Sequence, residues 1–226
     1  EWTRPSFDGF IEEKVAESGQ REYQIVEDGR QYTIQTVEIP LVAASVGPHT
    51  VPPAVVTARY RSQRKQRRRG RGGLDDFFGN SVLSNRAEIK NHTSLAQEIE
   101  VRPLPVEGRP VDFGGLVGAF TLTAEASGTQ VELGESVTLT YRLQGVGTLH
   151  GFRLPPAPSD GGFRAYDDSP EIAASLKDGV FLATGVVKRA VVPEAAGVLT
   201  VPGLSIPVFD PRTEQYTTLN TPDVRI

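Results

Sequence analysis

The sequence predicts an all-β protein: two tandem immunoglobulin-like antiparallel β-sandwich domains, the first lacking its N-terminal strands. Three observations predict it. Apolar and polar residues alternate along many short segments, which is the period of a half-buried strand. Apolar spacing of three and four, the mark of a helix, is scarce. Two stretches about 150 residues apart also repeat the same landmarks in the same order.

The elements follow along the chain. "PSFDGF" at 5–10 resembles "PSDGGF" at 158–163, and the Asp28-Gly29 turn answers Asp178-Gly179. A strand ending at Pro40 answers one ending at Pro193, after a three-residue slip between turn and proline. "GPHTVPPAVV" (47–56) answers "GVLTVPGLSI" (197–206). In each of these tails a proline, which has no N–H to donate, opens a strand instead of sitting within a central one. "LAQEIEV" alternates through Leu95, Ile99 and Val101. "AFTLTAEA" does so through Phe120, Leu122 and Ala124, and "SVTLTYRLQ" through Val137, Leu139, Tyr141 and Leu143. The Val-rich run from Val180 to Val192, interrupted by Gly185, reads as one long bent strand or a strand with a bulge.

Three segments result: a first domain over 1–103, a Pro/Gly-rich linker over 104–116, and a complete domain over 117–226. The second copy has about 40 residues of strand-like sequence before Pro158, whereas the first begins almost at once. The first domain is therefore expected to be completed by upstream residues or by another chain, because a sandwich without its opening strands bares an inner face and an edge. The prolines between Pro103 and Pro110 favour an extended, semi-stiff connection.

Composition bounds the function. With 38% hydrophobic and 23% charged residues the chain is globular. It holds no apolar run of the roughly 18 residues that a membrane-spanning helix needs. Zero Cys excludes disulfides, thiolate metal sites and Cys nucleophiles. His49, His92 and His150 each stand alone in their segments, so no zinc motif is formed, and His150 reads as a partly exposed surface residue. No GxSxG or phosphate-cradling loop is present. Glu12-Glu13, Asp75-Asp76 and Asp167-Asp168 are adjacent pairs, which on strands point to opposite faces and read as solvated turns. A weak calcium site at "YDDSP" is the sharper alternative for the last pair. The sequence therefore points to no enzyme, catalytic residue, cofactor or metal.

Charge is unevenly placed. Eight Lys/Arg and no acid lie between Arg59 and Arg71, in a chain of net charge −4. The repeat explains their position. From Val208 to Val224 the second copy spans 16 residues, whereas the matching span in the first, Ala58 to Ile99, is 41, so that hairpin carries about 25 extra. The basic run thus lies in an inserted loop, about 59–90. Arg64, Lys65, Arg67, Arg68 and Arg69 are candidates for contact with an acidic partner or anionic lipid. Leu74, Phe77 and Phe78 are candidates either to pin the loop to its sheet or to meet a partner. A basic stripe confined to one loop, without interleaved aromatics, argues against nucleic acid.

The linker "VRPLPVEGRPVDFGGLVGAFTLTAE" (101–125), the stretch "VPEAAGVLTVPGLSIPVFDPRTEQYTTL" (192–219) and "DDFFGN" (75–80) resemble the BatD family of bacterial oxygen-tolerance (aerotolerance) proteins. The resemblance covers almost the whole chain. It implies immunoglobulin-like modules on the extracytoplasmic (periplasmic) side of the inner membrane, anchored by a segment not present here. It further implies protein partners of the von Willebrand A-type membrane class and a MoxR-type ATPase system. The function implied is a non-enzymatic scaffold or adaptor of a membrane-associated stress complex. The alternative is a polyanion-binding module, for anionic lipid or nucleic acid, using residues 59–71.

Overall fold

A computed structural model of the chain describes residues 2–15, 20–61, 87–158 and 161–226. Strands run in the order β1 (Trp2–Thr3), β2 (Phe10–Glu12), β3 (Gln20–Glu27), β4 (Arg30–Val37), β5 (Leu41–Ala43), β6 (Gly47–Val51), β7 (Val55–Arg61), β8 (Ala87–Thr93) and β9 (Gln97–Val101). They continue with β10 (Gly118–Ala126), β11 (Val137–Gly147), β12 (Phe163–Asp167), β13 (Glu171–Lys177), β14 (Val180–Pro193), β15 (Thr200–Val201), β16 (Ser205–Asp210), β17 (Gln215–Asn220) and β18 (Val224–Arg225). The described residues contain no helix, and every strand pairing within the sheets is antiparallel, as the alternating pattern predicts.

Two compact units are present: Glu1–Ile11 with Ala43–Pro103, and Glu12–Val42 with Leu104–Ile226. The β3–β4 hairpin and the linker residues from Leu104 thus belong to the second unit, whereas the sequence reading placed the hairpin in the first domain and the linker in neither.

The second unit contains a sandwich. One layer runs β10-β11-β14-β12, with β13 also on β14; β16–β17 and β15–β18 supply the facing ribbons. Phe120, Leu143 and Ala183 from the large sheet pack with Ile206 and Val208, while Leu139, Tyr141 and Val191 pack with Val201 and Leu204. These are the side chains that the alternation of β10, β11 and β16 turns to one face.

β14 is the central strand. It pairs with β11 along one edge, from Val137↔Val191 to Val146↔Leu182. Its other edge takes β12 as far as Asp167↔Arg189 and β13 from Glu171↔Val186. Between those pairs one side advances four residues (171 − 167) and the other three (189 − 186), so a one-residue bulge falls at Asp168–Pro170. The Val-rich run is therefore one unbroken strand, and the bulge lies on its neighbour.

The repeat is structural. The β3–β4 and β13–β14 hairpins both turn on Asp-Gly pairs with positive φ, 49° and 71° at 28–29 and 51° and 76° at 178–179, the dihedrals of a type I′ turn. β6–β9 answers β15–β18, and β7–β8 answers β16–β17. The two "PS…GF" motifs also do the same work: Gly9 O accepts from Ala44 N at 2.8 Å, and Gly162 O accepts from Glu194 N at 3.1 Å. That equivalence corrects one match. Ala44 corresponds to Glu194, so the counterpart of Pro193 is Ala43 rather than Pro40, and the slip falls before the Asp-Gly turn.

In the first unit β7 lies between β1 and β8, and β6 pairs with β9. Gly9, at φ +84°, lies under His49, and a Cβ there would collide with the imidazole. Phe10 packs edge-on against the same ring at 5.2 Å. His49 Nε2 donates to Ser45 O at 2.9 Å. These contacts assign His49 a packing role.

Candidate functional site

The candidate residues of the basic insertion, Arg64, Lys65, Arg67, Arg68, Arg69, Leu74, Phe77 and Phe78, lie outside the described residues. Within them, polar and aromatic groups converge where the linker meets the second unit. There Tyr216, on β17, acts as a clamp. Its hydroxyl donates to Pro105 O at 2.7 Å and accepts from Arg109 Nε at 3.1 Å. Arg109 in turn donates to Leu104 O at 3.1 Å. The Tyr216 ring meets Phe113 edge-on, with centroids 5.0 Å apart, and lies as close to Phe209. The linker consequently makes turns at Val106–Arg109 and Pro110–Phe113. It does not run straight, as its prolines alone predict, because one arginine and two aromatics fold it onto the β16–β17 hairpin.

The turn of that hairpin forms as read from "FDPRTEQY". Asp210 Oδ1 accepts from Arg212 N at 2.9 Å, and its carboxylate also takes the Arg212 side chain at 3.2 Å. The Arg212 guanidinium, then its backbone N–H, hold the Asp210 carboxyl below the usual carboxylate range.

Beyond the clamp lies a cavity of about 380 Å³, whose walls include Asp112, His150, Arg153 and Ser205 beside Leu116 and Phe152. Ser205 Oγ donates to Asn220 Oδ1 at 2.7 Å, which commits the hydroxyl to the β16–β17 ladder. The loop bearing His150 is anchored by Glu13: Thr148 Oγ1 donates to Glu13 Oε1 at 2.5 Å and accepts from His150 N at 3.0 Å. His150 Nδ1 stands 3.8 Å from the same carboxylate, with its side chain 56% exposed. Glu13 is thus half-buried and bonded, not a solvated turn residue as its sequence suggests.

The other departure from the acid-pair reading is Asp167. Arg189, 2% exposed, donates to it through Nε at 2.5 Å and Nη2 at 2.8 Å, and to Pro155 O at 2.6 Å. Both Asp167 oxygens are therefore engaged by a cation, which removes "YDDSP" from consideration as a calcium site. Among the described residues no group of three or more His, Cys, Asp or Glu could hold a metal ion. Tyr141, under the Arg189 guanidinium at 5.8 Å, has its hydroxyl pKa raised by burial. Alternation along the sequence makes position 189 an inward one, but nothing in a Val-rich strand announces which acid an inward arginine will find.

A sandwich in the second unit and a repeated antiparallel strand order, with a clamped linker, define an immunoglobulin-like module protein. Residues 124–226, a little under half of the chain, match the BatD DUF11 like domain, and over these residues the chain is similar to the BatD family. That family is membrane-associated and linked to aerotolerance. No curated protein and no solved structure matches the chain. No helix of the described residues is long and apolar enough to cross a membrane.

Proposed function

We propose that the chain is a non-enzymatic, extracytoplasmic scaffold or adaptor in a membrane-associated oxygen-tolerance complex, working through protein contacts. The observation that supports it most is the linker clamp. Arg109 and Tyr216 convert a Pro/Gly-rich connection into a fixed part of the second unit, an arrangement that supports the presentation of surfaces. The partners proposed are von Willebrand A-type membrane proteins and a MoxR-type ATPase, with anchoring to the inner membrane by a segment outside this sequence.

Crosslinked pull-down from bacterial membranes, with the whole chain and with residues 59–80 deleted, tests the reading. Recovery of such proteins by the whole chain supports it; recovery of no envelope protein overturns it. Loss of capture on deletion assigns the contact to the inserted loop. The second reading, polyanion binding by the run from Arg59 to Arg71, rests on eight cations within that run. Association with anionic vesicles that weakens linearly in log salt, with a slope set by the charges neutralised, would favour it.

A further inference from the structure

β13, a strand of seven residues, ends the large sheet of the second unit: it is bonded to β14, and no strand takes its other edge among the described residues. Its neighbours in the chain, β12 and β14, are both in place on that sheet, so the strand order itself leaves the edge open. The opposite end is closed, because Val117, on entering β10, bridges Phe209 of β16. β3, the counterpart of β13 in the first copy, is likewise bonded to one strand alone, β4, although the whole second copy follows it in the chain. In both copies this edge is unpaired among the described residues.

The Asp178-Gly179 turn makes Lys177 and Val180 the closing pair, so the amides of Lys177, Ser175, Ala173 and Glu171 turn to β14. Those of Ile172, Ala174 and Leu176 turn outward. Lys188 O accepts from Asp168 N at 2.9 Å, which agrees in putting the even-numbered residues of β14 against this side. Ile172 is exposed, and Ala174 and Leu176 are half-buried. Glu171 and Lys177, at the two ends of the strand, are exposed and make no ion pair among the described residues. The bulge at Asp168–Pro170 and the Asp-Gly turn bound the edge at these two charges.

We propose that this edge is a strand-pairing site occupied by β13 of a second copy of the chain, antiparallel about a two-fold axis at Ala174. Charge selects the register. With Ala174 opposite Ala174, Glu171 of each copy stands across from Lys177 of the other, and Ile172 across from Leu176. The outward amides then meet as hydrogen-bonding pairs, about six bonds in all, while Glu171 and Lys177 fall in the closer, non-bonded pairs. Centring the pair on Ala173 or Ser175 instead sets Glu171 across from Ser175 or Gly179, and Lys177 across from Ser169 or Ala173. Charge also selects the occupant. The corresponding positions of β3, counted back from Asp28 as these are from Asp178, carry Arg21 and Glu27, with the signs exchanged. Antiparallel pairing of β3 with β13 in the matching register opposes Arg21 to Lys177 and Glu27 to Glu171, so β13 repels its counterpart and accepts itself. β13 also brings apolar Ile172 and Leu176 together where β3 has Glu22 and Val26. Asp178, which Arg21 approaches at 3.9 Å, lies past the last pair. The area of one strand edge is below that of a standard interface, so the dimer is weak and concentration-dependent. The site is independent of the scaffold reading, and its test uses no partner protein.

Sedimentation velocity of the whole chain from about 1 to 200 µM, the range in which small interfaces dissociate, measures it. The wild type is expected to move from monomer to dimer across that range. Ala174→Pro removes an outward amide without touching the β14 ladder and is expected to abolish the dimer. Lys177→Glu should weaken association about tenfold, and Lys177→Glu combined with Glu171→Lys should restore it to within about threefold of wild type. The charge variants lie at exposed positions and keep the fold, so they decide the matter even if the proline variant unfolds. A chain that stays monomeric throughout, or a dimer indifferent to the charge variants, overturns the proposal. A dimer that responds to Glu27→Arg in their place puts the contact on β3 and overturns it as well.

Discussion

Two copies of one strand order occur in this chain, and they handle apolar residues differently. In the second copy Leu139 and Val191 are fully buried and Val137 is 2% exposed, because β10 and β11 complete a sheet over the β15–β18 and β16–β17 ribbons. In the first copy the hairpin that corresponds to β13–β14 leaves Tyr23, Ile25 and Tyr32 at 50%, 36% and 42% exposure, and the β13–β14 hairpin itself leaves Ile172, Val180 and Leu182 at 47%, 43% and 37%. Every buried core residue among the described ones lies at position 116 or later. Turns and strand pairings are specified locally in both copies, and the core of the described residues forms where the sheet of β10, β11 and β14 receives the β15–β18 and β16–β17 ribbons.

Substitutions can break that comparison. The largest effect is expected from Leu139→Ala, which should cost about 3 kcal/mol in urea unfolding by leaving a cavity in the second unit. Ile25→Ala, on the partly exposed β3–β4 hairpin, should change stability by less than about 0.5 kcal/mol. Equal losses would mean that the hairpin face is covered in solution. Asp167→Ala removes the partner of a buried guanidinium and is expected to cost about 3 kcal/mol in the same measurement, since the charge of Arg189 would stay in the interior unpaired.

The clamp is a smaller perturbation. Tyr216→Phe deletes the hydroxyl that links Pro105 and Arg109 while keeping the ring contacts, and should cost about 1 kcal/mol. Hydrogen exchange should then rise over 104–113 and stay unchanged in β11 and β14; unaltered exchange in the linker would refute the clamp.

Tyr141 gives stability no pH dependence near neutrality. Burial raises its pKa above the ordinary 10.0, so the folded state favours the neutral phenol. The stability tied to that preference is complete below the unfolded value and is lost as pH rises through the folded one. Thermal melts between about pH 8 and 11 should show a decline above pH 10 that is shallower in Tyr141→Phe.

Much of this was legible in the sequence. Alternation located β10 and β11, the Asp-Gly pairs located two hairpin turns, and the matching "PS…GF" motifs and "VP" tails located the repeat. Less of the candidate site was visible. Asp210 and its turn could be read because the contact spans two residues, whereas Arg109 and Tyr216 are 107 apart and nothing near either of them names the other. Pro40 was matched to Pro193 on residue identity, and the hydrogen bonds of Gly9 and Gly162 set the register differently.

By itself, then, the sequence determined the strand period, the turn dihedrals and the duplication, since each depends on backbone sterics and polarity within a few residues. Only the tertiary structure decided that Arg189 lies between Asp167 and Pro155, that the linker folds back on Tyr216, and that the β3–β4 hairpin belongs with the second unit. Such pairings require segments far apart in the chain to meet in one register, and the choice among polar partners is made by which groups are desolvated together.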